Sequence, residues 1–326
     1  MDIFSHFLIG VLISVVFLNA LGEEFAIYAG IMAVLADFDF FLEFFKSSRR
    51  SHLMSHKGAS HSYFTGLIVS LITGGIFTLM TGFSNLDFNL ETFLLAWLVG
   101  FLFYSLHVTL DALAASKIPL LYPFSKKRFR IFIDRAINPI LALISGSILM
   151  FYLITYLFFR EVFYSEIFYL FIAFYFIYLA YRLLTKIWLK LRLPKNNHYI
   201  PGFFPFSYFI YENNTNETTS TFTLFKKIQF LPRTKKIIET EIRAESEEIE
   251  YFMRAKTLSK NYPFFSKWEN IIPIITKNDT KIFLILFLAE SFASGNAYSL
   301  QVVFNRRSKE IEYYSDGFGK IFNNSL

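Results

Sequence analysis

Six apolar stretches, each near the roughly 20 residues that a helix needs to cross about 30 Å of hydrocarbon, constrain this chain more than any other feature. They cover residues 3–21, 25–45, 63–83, 93–113, 136–159 and 163–184, and only the second is broken by several carboxylates. Lipid offers no hydrogen bonds to a backbone, so such runs are expected as helices that satisfy their own N–H and C=O groups. The first run lacks a basic leader and a small-residue cleavage site, so it reads as a span and not as a removable signal.

Charge places the boundary of this apolar part. Residues 1–194 hold 27 charged side chains and residues 195–326 hold 31 in a much shorter length, so the character changes near Pro194. The expected fold is an α-helical polytopic membrane domain of about six spans over 1–194, followed by a small α+β, β-rich domain over 195–326. The net charge of +6 divides evenly between the two parts. No basic domain stands out, and no nucleic-acid partner is indicated.

Lys and Arg beside the spans set an expected orientation. Loop two-three carries Lys46, Arg49, Arg50 and Lys57, and loop four-five carries Lys117, Lys126, Lys127, Arg128, Arg130 and Arg135. The end of span six adds Arg182, Lys186, Lys190, Arg192 and Lys195, whereas the alternate loops hold Arg160 as their single basic residue. Fifteen against one predicts a multi-pass protein of the cell membrane with both termini, and hence the tail, in the cytoplasm. In that tail, 220–230 and 281–288 read as strands, 298–304 with 310–314 as a hairpin, and 239–260 as a helix. Sequons at Asn213, Asn216, Asn278 and Asn323 then lie on the unglycosylated side and are chance matches.

Ionisable groups at membrane depth are costly unless paired, hydrated or metal-bound, so those in or beside the spans are the functional candidates. His6 lies near the start of span one, and Asp37 and Asp39 close span two. His56 and His61 open span three, and His107 and Asp111 stand near the end of span four. The orientation rests on Lys and Arg alone, yet it brings the polar residues of four spans to one membrane face. His107 and Asp111, four apart on a helix, present both side chains to one point. His56 and His61 are five apart and cannot both face one way on a regular helix, so one belongs to the Gly58 loop. Of Asp37 and Asp39, one residue apart, one is expected to bind metal and the other to orient a ligand. His52 has no partner at useful spacing. The chain has no Cys, which excludes thiolate ligands, and imidazole with carboxylate suits zinc first, with manganese or iron for a more carboxylate-rich set.

In order, these are a His near the N-terminus, Asp37-Phe38-Asp39, His56-Lys57-Gly58-Ala59-Ser60-His61-Ser62, and His107-Val108-Thr109-Leu110-Asp111. They are followed by Ile118-Pro119-Leu120-Leu121-Tyr122-Pro123 and Arg128-Phe129-Arg130. Across about residues 1–135 this series resembles the YdjM-type family of membrane-bound metal-dependent hydrolases. Ala36 replaces the Pro usual before the first Asp, and Lys57 and Ser60 stand where Arg and Thr are usual; neither change removes a ligand. The resemblance implies a polytopic hydrolase with a His/Asp metal centre, distantly similar to zinc-dependent phospholipase C and related nucleases. By that analogy Asp37 or Asp39, His56 or His61, and His107 with Asp111 are ligands, and His6 completes a second metal. The tail lies outside the matched motifs.

The expected function is hydrolysis of a phosphoester, in a lipid or a membrane-proximal substrate, by a metal-activated water at the cytoplasmic face. One of Asp37, Asp39 or Asp111 orients the water or an imidazole, and Arg128 and Arg130 are candidates to hold the phosphate through forked hydrogen bonds. Two other classes compete. A transporter would relay protons or ions through the same His and Asp groups, but it would spread them through membrane depth, and spans five and six hold almost none. A metal-stabilised scaffold, with the tail binding another protein, would show a saturated metal shell. Peptide hydrolysis is a further option, although no His-Glu-x-x-His motif is present.

Overall fold

A computed structural model describes residues 3–18, 21–44, 57–81, 89–114, 117–135, 138–159, 165–262, 264–265, 268 and 270–321. They belong to two compact units, Met1–Thr185 and Lys186–Leu326.

The first unit is helical. In chain order it contains α1 (Ile3–Phe17), α2 (Glu23–Met32), a 3-10 helix (Leu35–Phe44), α3 (Tyr63–Thr81), α4 (Leu90–Leu113), α5 (Pro139–Phe159) and the start of α6 (Ser165–Arg192). Among the described residues, three helices are long and apolar enough to cross a membrane: Tyr63–Thr81, Leu90–Leu113 and Phe168–Arg192. The expectation of six spans is therefore not met. Ile3–Phe17 and Pro139–Thr155 are shorter apolar helices, and the 15 residues of α1 rise only about 22 Å.

The second expected span is not one helix at all. Its α-helical part stops at Met32, and the Asp37 N–H then reaches only to the Val34 carbonyl at 2.9 Å, three residues back. The physical reason lies in the two carboxylates: Asp37 and Asp39 cannot face lipid, and the tighter 3-10 turn aims them inward at the polar cluster described below.

Packing in this unit inverts the pattern of a water-soluble helix. On α3 the buried positions Gly66, Ser70, Gly74 and Thr78 recur every four residues, while Ile68, Leu71, Ile72, Ile76 and Leu79 stand exposed. Small residues on the inner face let helices approach closely where lipid supplies no hydrophobic drive. A Cβ at Gly74 would lie 3.0 Å from the Trp97 backbone nitrogen on α4, and one at Gly10 on α1 would lie 2.6 Å from the Ala33 side chain. The start of α4 is set by Asn89, whose Oδ1 accepts the Glu91 and Thr92 N–H groups at 2.9 and 3.2 Å.

The second unit has two four-stranded antiparallel meanders, β1 to β4 and β5 to β8. The first joins β1 (Asn197–Pro201), β2 (Ser207–Thr215), β3 (Thr219–Ile228) and β4 (Thr234–Arg243); the second joins β5 (Ile271–Lys277), β6 (Lys281–Leu288), β7 (Asn296–Asn305) and β8 (Ile311–Lys320). The strands expected at 220–230 and 281–288 form β3 and β6, and the expected hairpin is β7 with β8, where Phe304 pairs with Ile311. The helix expected over 239–260 begins only at Glu247, as α7 (Glu247–Ser259). Residues 239–243 belong to β4 instead. There Ile238, Thr240 and Ile242 turn inward while Glu239, Glu241 and Arg243 stay exposed, so a period of two overrides the helical look of the composition.

Candidate metal centre

Four elements deliver the site. Helix α1 supplies His6, the 3-10 helix supplies Asp37 and Asp39, the loop ahead of α3 supplies His61, and α4 supplies His107 and Asp111. One donor atom from each of Asp37, His61, His107 and Asp111 can be chosen so that all four lie within 4.8 Å of one another.

The separations are compatible with a coordination shell. His61 Nε2 lies 3.4 Å from Asp37 Oδ1, 3.1 Å from Asp111 Oδ2 and 3.3 Å from His107 Nε2. His107 Nε2 lies 3.6 Å from Asp37 Oδ1 and 3.8 Å from Asp111 Oδ2. Metal–ligand bonds of about 2.0–2.1 Å in a tetrahedron put ligands about 3.3–3.4 Å apart, so this donor set fits a zinc-sized divalent ion.

Both imidazoles are held with Nε2 facing the cluster. His107 Nδ1 donates to the Ala33 carbonyl at 2.7 Å. His61 Nδ1 lies 3.2 Å from Asp39 Oδ2 and 3.0 Å from Ser60 Oγ, and the Ser60 hydroxyl itself donates to Asp39 in a short bond. Two acceptors at Nδ1 put the proton there and leave Nε2 for a metal, the carboxylate–histidine arrangement that fixes a ligand's tautomer. The structure thus separates the two neighbouring aspartates, with Asp37 facing the donor cluster and Asp39 behind His61. Asp37→Ala is expected to remove a donor and abolish stoichiometric metal binding, whereas Asp39→Ala keeps every donor and lowers affinity about 10–100-fold. Metal titration of both variants checks this, and equal losses would remove the distinction.

His6 stands beside the four-donor group. Its Nε2 is 3.3 Å from Asp111 Oδ1, and its ring centre is 4.0 Å from that of His107. Asp111 therefore turns one oxygen to the cluster and the other to His6. His56 lies outside the described residues.

Lys57, which in sequence reads as a topology signal, is a site residue. It is buried, its Nζ lies 2.8 Å from Asp111 Oδ2, and its N–H donates to Asp39 Oδ2 at 3.0 Å. Only its place between His56 and Gly58 hinted at this, and its positive φ of 62° is invisible in sequence. The motif loop is tied down further by Tyr104, whose hydroxyl donates to the Ser60 carbonyl at 2.6 Å, and by Thr65, whose hydroxyl donates to the Ala59 carbonyl at 2.8 Å.

Electrostatics gathers three carboxylates against one ammonium. Burial alone would push the Lys57 ammonium down, but the carboxylates of Asp111 and Asp37 outweigh it and hold it above its ordinary value. At His61, too, burial acts downward, while hydrogen bonds to Asp111, Asp37 and Asp39 prevail and push it up to about 10. His61 would have to give up its Nε2 proton to act as a metal ligand.

Arg128 and Arg130 lie in a segment pinned just beyond Asp111. Ile131 N–H donates to the Ala112 carbonyl at 2.6 Å and Ile133 N–H to the Leu113 carbonyl at 2.7 Å. The Arg130 guanidinium lies over the Phe132 ring at 4.9 Å.

The family model described as YdjM inner membrane protein matches residues 1–189. No curated protein matches, and no solved structure does.

Proposed function

The chain belongs to the YdjM inner membrane protein family, and from that premise we propose that it is a metal-dependent hydrolase. The proposed reaction is cleavage of a phosphoester, in a lipid or a membrane-proximal substrate, at the cytoplasmic face. The observation that carries this reading is the four-donor cluster of Asp37, His61, His107 and Asp111, whose spacing fits a small divalent ion. Zinc is the ion proposed, for its affinity for imidazole with carboxylate and for the tetrahedral spacing, with manganese or iron as alternatives. Fifteen basic residues against one in the loops support a multi-pass arrangement with both termini cytoplasmic.

Bound there, a divalent ion supplies Lewis acidity and an acidified water. The protein supplies position and charge. Side chains of His61, His107 and Asp111 are fully buried, whereas the Asp37 side chain is 13% exposed, so solvent meets the cluster at Asp37. We take Asp37 as the donor on the side from which a water would enter. Asp39 and the Ala33 carbonyl hold the two imidazoles, and Lys57 balances Asp111. Arg128 and Arg130, carried on the segment anchored to the end of α4, are assigned to the phosphoryl oxygens.

A second reading is favoured by one feature. Four protein donors already fill a tetrahedral shell, as in structural metal sites, which describes a metal-stabilised membrane scaffold with the tail as a protein-binding module. Metal analysis of the detergent-purified protein, with and without His107→Ala and Asp111→Ala together, comes first. Stoichiometric metal lost in the double variant, plus metal-dependent turnover in a screen of phospholipids and soluble phosphoesters, supports the hydrolase. Bound metal with no turnover supports the scaffold, and no metal in the wild type overturns both. Where turnover is found, Arg128→Ala with Arg130→Ala is expected to raise KM about tenfold or more, since a hydrogen bond to a charged group is worth about 1.5–3 kcal/mol. An unchanged KM would take both arginines out of the site.

A further inference from the structure

We propose that the β1–β2 and β3–β4 loops of the second unit form a tip that inserts into the interface of an anionic lipid bilayer. Both loops lie at the same end of the first meander, and they touch: Gln229 N–H donates to the Phe206 carbonyl at 2.8 Å, and the Phe206 and Phe230 rings are 6.3 Å apart. Phe204 stacks on Phe206 with ring centres 5.7 Å apart.

These side chains project outward. Phe230 is 73% exposed, Phe204 54% and Leu231 51%. Contiguous exposed aromatics on a soluble unit mark an interaction surface, and rings that sit well at a membrane–water boundary are the type found here. Pro205 and Pro232 stiffen the two loops, so the rings are presented at little entropic cost.

Charge indicates which surface is met. In the register of β3 with β4, Lys226 stands directly opposite Lys235, beside the aromatic tip. Like charges across a strand pair repel, and an anionic surface relieves that repulsion. Lys227 and Arg233 add to the same end, whereas Lys236 is paired with Glu239 at 2.6 Å. The other end of the meander, where β2 turns into β3, carries Asn216 and Glu217 and no exposed aromatic.

The chain has no Cys, so a single Phe230→Cys substitution in the full-length protein takes one environment-sensitive fluorophore. The labelled protein is reconstituted in phosphatidylcholine vesicles with and without phosphatidylglycerol, and quenching by brominated lipid is read. Quenching in the anionic vesicles is expected. It should fall in about 1 M salt, where the Debye length is about 3 Å, and with Lys226→Glu and Lys235→Glu together. A label at Asn216→Cys should stay unquenched throughout. A Phe230→Cys label that remains water-exposed in both vesicles overturns the proposal. A blue shift without quenching by brominated lipid also overturns it, because it identifies a protein surface, such as a second copy, as the occupant.

Discussion

Asp111→Asn is expected to strip the metal and to cost about 3–5 kcal/mol of stability, the usual penalty for breaking a buried ion pair from one side. The neutral amide removes the carboxylate 2.8 Å from Lys57 Nζ while the ammonium stays buried. It also removes a donor from the metal cluster and the partner of His6. Lys57→Met with Asp111→Asn is expected to recover much of the stability and none of the metal, because the stranded charge is then gone. Thermal unfolding in detergent and metal content separate the two effects. If the double variant unfolds as early as Asp111→Asn alone, the Lys57 pair is not what the substitution disturbs.

The second large effect lies away from the donor cluster. Arg182 on α6 is fully buried, and its guanidinium donates to Asp134 Oδ1 at 2.9 Å. The Tyr178 hydroxyl donates to Asp134 Oδ2 at 2.6 Å, and Asn138 Nδ2 donates to the Tyr178 oxygen at 2.8 Å. Arg182→Met leaves the Asp134 carboxylate buried without its cation and is expected to cost about 3–5 kcal/mol. Adding Asp134→Asn should return a large part of that loss, since an uncharged network has no stranded ion. Metal content should remain stoichiometric in whatever fraction stays folded. A loss below about 1 kcal/mol, the range of exposed pairs, would mean that Arg182 reaches water in the folded protein.

The candidate site was legible because its chemistry is expensive. His107 and Asp111 four apart in an apolar run, and Asp37 and Asp39 closing another, stand out against lipid, and the positive-inside count sends them to one face. Roles within the cluster were not legible. Asp37 faces the donor cluster and Asp39 the back of His61 because the 3-10 turn points side chains two apart in different directions, and that turn depends on what it packs against. Lys57 reads in sequence as a topology signal, since nothing in a loop lysine announces a positive φ or a buried carboxylate partner. The tail shows the same limit: Lys281–Leu288 is plain as a strand from its apolar run, whereas the β4 segment 239–243 reads equally as helix because Glu and Ile fit both periods over a few residues.

The sequence by itself determined that this chain lives in a membrane, that its polar residues gather into a His/Asp centre, that it belongs to its family, and that a β-rich part follows. Those are properties of composition and spacing, and burial cost enforces them whatever the packing. Tertiary structure alone decided that three described helices and not six have the length to cross, that the second run breaks, and that a lysine packs against the His/Asp cluster. It also decided which aspartate faces the donors. Each of those outcomes depends on which atoms meet across segments far apart in the chain, and a linear pattern does not carry those distances.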